Sequence, residues 1–434
     1  MSSESKVKYI RTSMGPKTIE DIKKETDITD SSFPLTSLPC EHIIHNITEH
    51  LQKNNSLLDS KERITLSNLS LLRNNPLIIY QNLYFEPDIK SISNELELTK
   101  KYNCGLICDV TNNKYHQNKE LLKKVQTVSK INICVGQSLD YSKAKSNLKK
   151  YSNDLQYLII YGDDNESEND KLIPGFIGEE LIEEDFDMDK NEFKDKVDLY
   201  QMVINDLVNK YGIPFFIKLN GKQKYKSTNT IIDFFNKNTI TNKKKLVFIL
   251  SISDYDENNY NGEIKNLIEF ILISGYSIIL TTYECDYSIL NKQNEKQLQL
   301  FDLYYNKTKA IFFNKILNDF SKYMKQIMIS NNINYRIQLK EYGGFGYNNL
   351  FENYYTIITE GLNNEDINDL MINNLLNVLC YWYYIEKFKK SAKKIKCENC
   401  QVEKDENDKE LFNKYDKLFC SFKCMKEWIK KNPH

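Results

Sequence analysis

Two groups of residues in this chain have the types and the spacing to hold a metal ion. The first is Cys40-Glu41-His42, at the end of the short apolar stretch Ser37–Ile43. On a strand, residues i and i+2 face the same side, so Cys40 and His42 would offer a thiolate and an imidazole from one strand end. The second is Cys397-Glu-Asn-Cys400 and Cys420-Ser-Phe-Lys-Cys424, with 19 residues between the pairs. Paired cysteines of this kind are a zinc signal. Four protein ligands leave no open coordination position, so this zinc would be structural. A module this small buries little core and takes much of its folding energy from its metal. Its second pair opens an expected helix, Phe422–Lys430, whose free amides and dipole favour thiolates.

These residues need elements to place them, and 434 residues suffice for one large barrel with a small appendage or for two to three ordinary domains. Apolar, β-rich runs recur between helical segments, the pattern of βα units around a parallel sheet. Strands are expected at Ser37–Ile43, Gly105–Val110, Asn132–Gly136, Gly175–Gly178, Pro214–Leu219, Leu246–Ser251 and Tyr276–Leu280, with an eighth near Tyr335–Leu339. Ile89–Lys101, Asn118–Ser129, Lys194–Lys210, Thr228–Asn238 and Ile264–Ile273 have the three- and four-residue apolar spacing of crossover helices. Eight strands predict a closed (β/α)8 TIM barrel, whose chemistry sits at the carboxyl ends of the strands. The acidic, Asn-rich segments Tyr161–Lys171 and Asp254–Gly262 read as surface loops.

The formal net charge of −1 gives no whole-chain field toward nucleic acid or an anionic membrane. The most apolar run, Leu267–Leu280, is too short to span a bilayer and contains Glu269 and Gly275, so no membrane is expected. Ten cysteines behind an amino terminus without a signal-peptide core are expected as reduced thiols or metal ligands. That composition predicts a cytoplasmic protein, with the nucleus as the alternative.

Ser37–Ile43 resembles the Thr-Leu-x-His-Glu-His motif of the phosphotriesterase family, metal-dependent hydrolases of the amidohydrolase superfamily, with Cys40 at the first histidine. Other stretches extend the resemblance over about residues 7 to 385. Tyr9–Pro16 is similar to the family's opening Thr-x-Leu-Gly-Pro signature, and Thr65–Pro76 with Asn82-Leu83 to the segment before its second strand. Ile107–Thr111 and Ile131–Gly136 resemble its second and third strands, and Phe176–Glu180 the Ile-Gly-Glu of its fourth. Tyr342-Gly-Gly-Phe-Gly-Tyr347 is similar to the Tyr-Gly-Gly-His-Gly-Tyr motif after its eighth.

The resemblance implies a binuclear centre held by a His-x-His pair, a bridging carboxylate on strand four, histidines on strands five and six, and an aspartate after strand eight. Two such cations activate a bridging hydroxide. Matched residue by residue, His42 and Glu179 remain. Lys218 stands at the strand-five histidine and Ile252 at the strand-six one; an ammonium repels a cation and isoleucine has no donor atom. Asn332 or Glu341 lies nearest the aspartate position. The only histidines are 42, 45, 50, 116 and 434, so strands five and six have no imidazole to give.

Three readings of the barrel site follow. Cys40, His42 and Glu179 would hold one zinc in an open three-ligand site, giving an atypical mononuclear hydrolase of ester or phosphoester bonds. Alternatively Cys40 is a buried thiol, His42 a hydrogen-bonded core histidine and Glu179 the partner of Lys218, giving an inactive scaffold, or pseudoenzyme. In the third, Lys218 is a nucleophile in an apolar pocket.

Residues 1–385 are thus expected as the barrel and 386–396 as a basic linker or helix extension. Residues 397–434 are expected as a zinc-finger-like module. Phe419–Trp428 resembles the Phe-Cys-Ser-x-x-Cys turn of FCS-type treble-clef fingers. The finger suggests a protein partner. Lys387–Lys396 reads as a solvated face, with an acidic partner or nucleic acid as the sharper alternative.

Overall fold

A computed structural model gives the fold. It describes residues 9–25, 33–52, 59–85, 88–112, 115, 118–162, 172–182, 191–219, 232–251, 264–283, 307–380, 394–405, 412–414 and 417–432. The chain divides into two compact units, Met1–Tyr381 and Trp382–His434.

The first unit opens on a hairpin, β1 (Tyr9–Thr12) with β2 (Gly15–Thr18), and continues into eight parallel strands. These are β3 (Thr36–Glu41), β4 (Cys104–Asp109), β5 (Asn132–Gln137), β6 (Phe176–Ile182), β7 (Phe215–Leu219), β8 (Leu246–Ser251), β9 (Ser277–Thr281) and β10 (Ile327–Ser330). They run in sequence order round a nearly closed TIM barrel, with helices between them. Every residue of β3, β4, β5, β7, β8, β9 and β10 is buried, as expected of strands covered on both faces.

Inside the barrel, Cys40, Cys108, Cys134, Phe176, Phe216 and Met328 form one apolar cluster, with Phe176 and Phe216 stacked at 4.3 Å. Ile10 and the helix Asn374–Leu379 join the same cluster. Lys245, buried at the start of β8, donates to the carbonyls of Asn377, Val378 and Cys380 and so caps the end of that helix.

The ladder between β3 and β10 is made differently from the other seven. Asn332 N–H donates to Cys40 O at 3.1 Å, and the Ser330 hydroxyl meets both Cys40 N and O at 3.0 Å. The fully buried Glu41 completes the seam. Its Oε1 accepts from Ser330 Oγ (2.7 Å) and Asn331 N (2.8 Å), and its Oε2 from Ile333 N (3.0 Å). Burial pushes the carboxyl up to about 7 against the pull of these donors.

Two expectations need correcting. The eighth strand is Ile327–Ser330, and the expected Tyr335–Leu339 contains only a short 3₁₀ turn, Arg336–Gln338. That apolar alternation belongs to a loop over the barrel: Tyr335 and Ile337 pack into a second cluster with Leu72, Ile79 and Leu83. The basic stretch before the finger ends in a strand, Lys394–Lys396, instead of a helix; the rest of it lies outside the described residues. Asp254–Gly262 and all but the first residue or two of Tyr161–Lys171 lie outside them too.

In the second unit, β11 (Lys394–Lys396) pairs with β12 (Glu403–Asp405), and β13 (Phe412–Lys414) with β14 (Lys417–Phe419). A helix, Phe422–Lys431, follows, capped by Ser421 Oγ accepting from Cys424 N at 3.2 Å. Its small core is Cys397, Phe419 and Met425, with Trp428 and Ile429 against it.

Candidate functional site

At the mouth of the barrel, β6 carries Glu179 and β7 carries Lys218. Strand parity alone would turn Glu180 inward, since Phe176 faces the core. The register shows otherwise: Ile177 pairs with Phe215 and Glu180 with Ile217, so β6 holds one extra residue there. Such a bulge re-aims a side chain. Glu180 accordingly bonds Tyr141 and Tyr200 on the helical side, whereas Glu179 faces Lys218. Gly178 makes the bulge possible, at φ +118 with no room for a Cβ, which would sit 2.4 Å from Phe216 O.

Lys218 Nζ lies 3.1 Å from Glu179 Oε1, with side-chain exposures of 6% and 11%. Burial raises the Glu179 carboxyl and the Lys218 ammonium pulls it back.

His42 stands just past the end of β3. The Thr111 hydroxyl donates to Asp109 Oδ1 at 2.8 Å, which leaves its oxygen to accept from His42 Nδ1 at 3.3 Å. This relay assigns the proton to Nδ1 and a lone pair to Nε2. Burial, His45 and the Lys218 charge hold His42 well below the usual imidazole range, so it is neutral. Nε2 has no hydrogen-bond partner among the described residues, nor has Glu179 Oε2; Asn332, near enough to act on the ring, does not meet hydrogen-bond geometry with it. Tyr347, from the glycine cluster, donates to His42 O at 2.8 Å.

The proposed barrel ligands are not brought together. Cys40 belongs to the apolar interior, its thiol 3.9 Å from Asn332 Oδ1. Among the described residues, the only group of three or more metal-ligating side chains that could share an ion is Cys397, Cys400, Cys420 and Cys424. Cys40, His42 and Glu179 are all described and form no such group. Asn332, one of the two candidates for the strand-eight aspartate position, offers an amide in place of a carboxylate and lies two residues past the end of β10; Glu341, the other, lies further on, its carboxylate bonded to Ser91. Ile252 lies outside the described residues. With Lys218 seated on Glu179, these residues do not fit a two-metal centre.

The tail cysteines fit a metal. All four sulfurs lie within 4.8 Å of one another, with Cys400–Cys420 and Cys420–Cys424 at 3.4 Å. Tetrahedral zinc bonds of about 2.3 Å put sulfurs about 3.8 Å apart. Burial raises the Cys397 thiol, but the amides of Cys400, Cys420 and Asn399 outweigh it and bring it to about 6. Gln401 at φ +60 and the Cys397 N–Val402 O bond of 2.9 Å close the knuckle.

Sequence reasoning passed over Glu41, Asp109 and Thr111. Glu41 had a signal, an acid closing a short strand whose preceding residues, Leu38-Pro39-Cys40, are apolar.

The fold has solved counterparts. A resiniferatoxin-binding protein from Rhodobacter sphaeroides superposes with TM-score 0.63 at 14% identity, over 86% of this chain and 94% of that one. A phosphotriesterase homology protein from Escherichia coli, solved with phosphate in its active site, superposes with TM-score 0.55 at 15% identity, over 81% and 100%. The fold is a phosphotriesterase-like barrel. No protein-family model matches the chain, and comparison with curated protein sequences finds no match. The likeness therefore carries architecture. No helix among the described residues is long and apolar enough to cross a membrane.

Proposed function

We propose that the chain is a phosphotriesterase-family protein that has lost two-metal hydrolysis. In this reading it serves as a scaffold whose zinc-holding tail recruits a protein partner in the cytoplasm or nucleus. The observation that carries the reading is the buried Lys218–Glu179 pair. An ammonium neutralises the carboxylate that would otherwise bridge cations, and repels any cation brought beside it. His42 is neutral, its Nδ1 held by Thr111.

The tail supports the second half. Its four thiols converge in a fold with only a small core of its own, so zinc bound there stabilises the module and does no chemistry. Nucleic acid is the lesser candidate as partner, because acidic residues such as Glu398, Glu403 and Glu427 are interspersed among the tail's lysines.

Hydrolysis of aryl esters, lactones and phosphotriesters by the purified chain, with zinc, manganese or cobalt added, tests the barrel half. The expected result is no turnover above the uncatalysed rate. Metal-stimulated turnover that disappears in Glu179→Ala would overturn the reading and restore a metal-dependent hydrolase.

A further inference from the structure

We propose that Lys218 is a Schiff-base lysine, condensing through its ε-amine with the carbonyl of a small α-hydroxy aldehyde or ketone held at the barrel mouth. This goes beyond the non-hydrolytic reading, which leaves the chemistry of Lys218 undecided.

The position suits the reaction. Lys218 is one residue from the carboxyl end of β7, the end where barrel enzymes place their chemistry, and only 5% exposed. Glu179 Oε1, 3.1 Å away, can take a proton from the ammonium and give it back. The free amine adds to the carbonyl carbon, and its proton passes to oxygen to give the carbinolamine. Glu179 then protonates that hydroxyl, which leaves as water. The product is an iminium on Lys218 beside the regenerated carboxylate. One ammonium and one carbonyl become one iminium and one water, and no oxidant or reductant is needed. Because ammonium and iminium carry the same charge, the pocket that balances the first balances the second.

Two unsatisfied acceptors define the rest of the ligand. His42 Nε2 and Glu179 Oε2 are both buried without a hydrogen-bond partner among the described residues. Buried acceptors call for donors. Hydroxyls next to the carbonyl supply them, whereas an anionic ligand would meet Glu179 and an ammonium ligand would meet Lys218.

The test is reductive trapping on the intact full-length chain. Protein is incubated with dihydroxyacetone and cyanoborohydride, with and without a chelator, then digested, and each lysine's labelling rate is read by mass spectrometry. Lys218 should label ahead of every exposed lysine, with or without chelator. Glu179→Gln, which keeps the volume, should slow it by about a hundredfold, and acetone should label Lys218 more slowly than dihydroxyacetone does. Labelling of Lys218 no faster than that of exposed lysines, or only after denaturation, would overturn the proposal. Equal rates with acetone would overturn its α-hydroxy part. Labelling that appears only with chelator would instead show a metal in the barrel, and so count against the scaffold reading.

Discussion

Removing Lys218 alone leaves Glu179 buried without its counter-ion, and that cost is measurable. Lys218→Ala should destabilise the barrel by about 3 to 5 kcal/mol, read from urea unfolding. Replacing both partners, as Lys218→Met with Glu179→Leu, should recover most of it, because the desolvation penalty then vanishes with the charges. Equal loss in the single and double variants would mean that the pair serves packing and not charge. Glu41 gives a second residue-level prediction. Its carboxyl titrates near 7 in the folded chain against an ordinary value of 4.5. Between those values the unfolded chain binds fewer protons, so this contribution is full below 4.5 and declines to nothing by about pH 7. Glu41→Gln should remove that slope, worth about 3 kcal/mol, from stability measured against pH. Lys218 was legible through the family resemblance, which sets it at the strand-five histidine position. The Thr111–Asp109 support of His42 was not, because a relay across two strands leaves no local pattern.

At the scale of elements, the fourth barrel strand decides which of two adjacent carboxylates enters the barrel. Period-two alternation from Phe176 selects Glu180, and only the extra residue at the bulge brings Glu179 inward. Gly178→Ala should therefore be severe, because both its φ of +118 and the 2.4 Å approach to Phe216 O forbid a side chain. We expect a loss of more than about 3 kcal/mol in the thermal transition. Gly361→Ala is the control: φ is +83 there too, but nothing lies within 4 Å, so only about 1 kcal/mol of conformational cost should appear. Seven of the eight barrel strands were legible as apolar runs. The eighth was missed because Ile327–Ser330 is only four residues long and follows directly on a 3₁₀ turn, Ser321–Gln326, so it offers only a three-residue apolar run, Ile327-Met-Ile329. Tyr335–Leu339 alternates convincingly, but its apolar residues face a loop cluster.

For the whole molecule, the barrel persists at 14% and 15% identity to its solved counterparts, because inward positions ask for volume and not identity. The tail's four cysteines were legible for the opposite reason: metal ligation tolerates few residue types, so spacing alone exposes them. The first unit has a barrel mouth balanced by its own lysine, and the second converges four thiols. Metal content per chain is the measurement that addresses both. The full-length protein should carry one zinc, and the Cys420→Ser, Cys424→Ser variant none, while His42→Ala and Glu179→Ala each keep the full amount. A metal that stays in the cysteine variant and is lost from Glu179→Ala would contradict this account and return the barrel to the metal-dependent hydrolases.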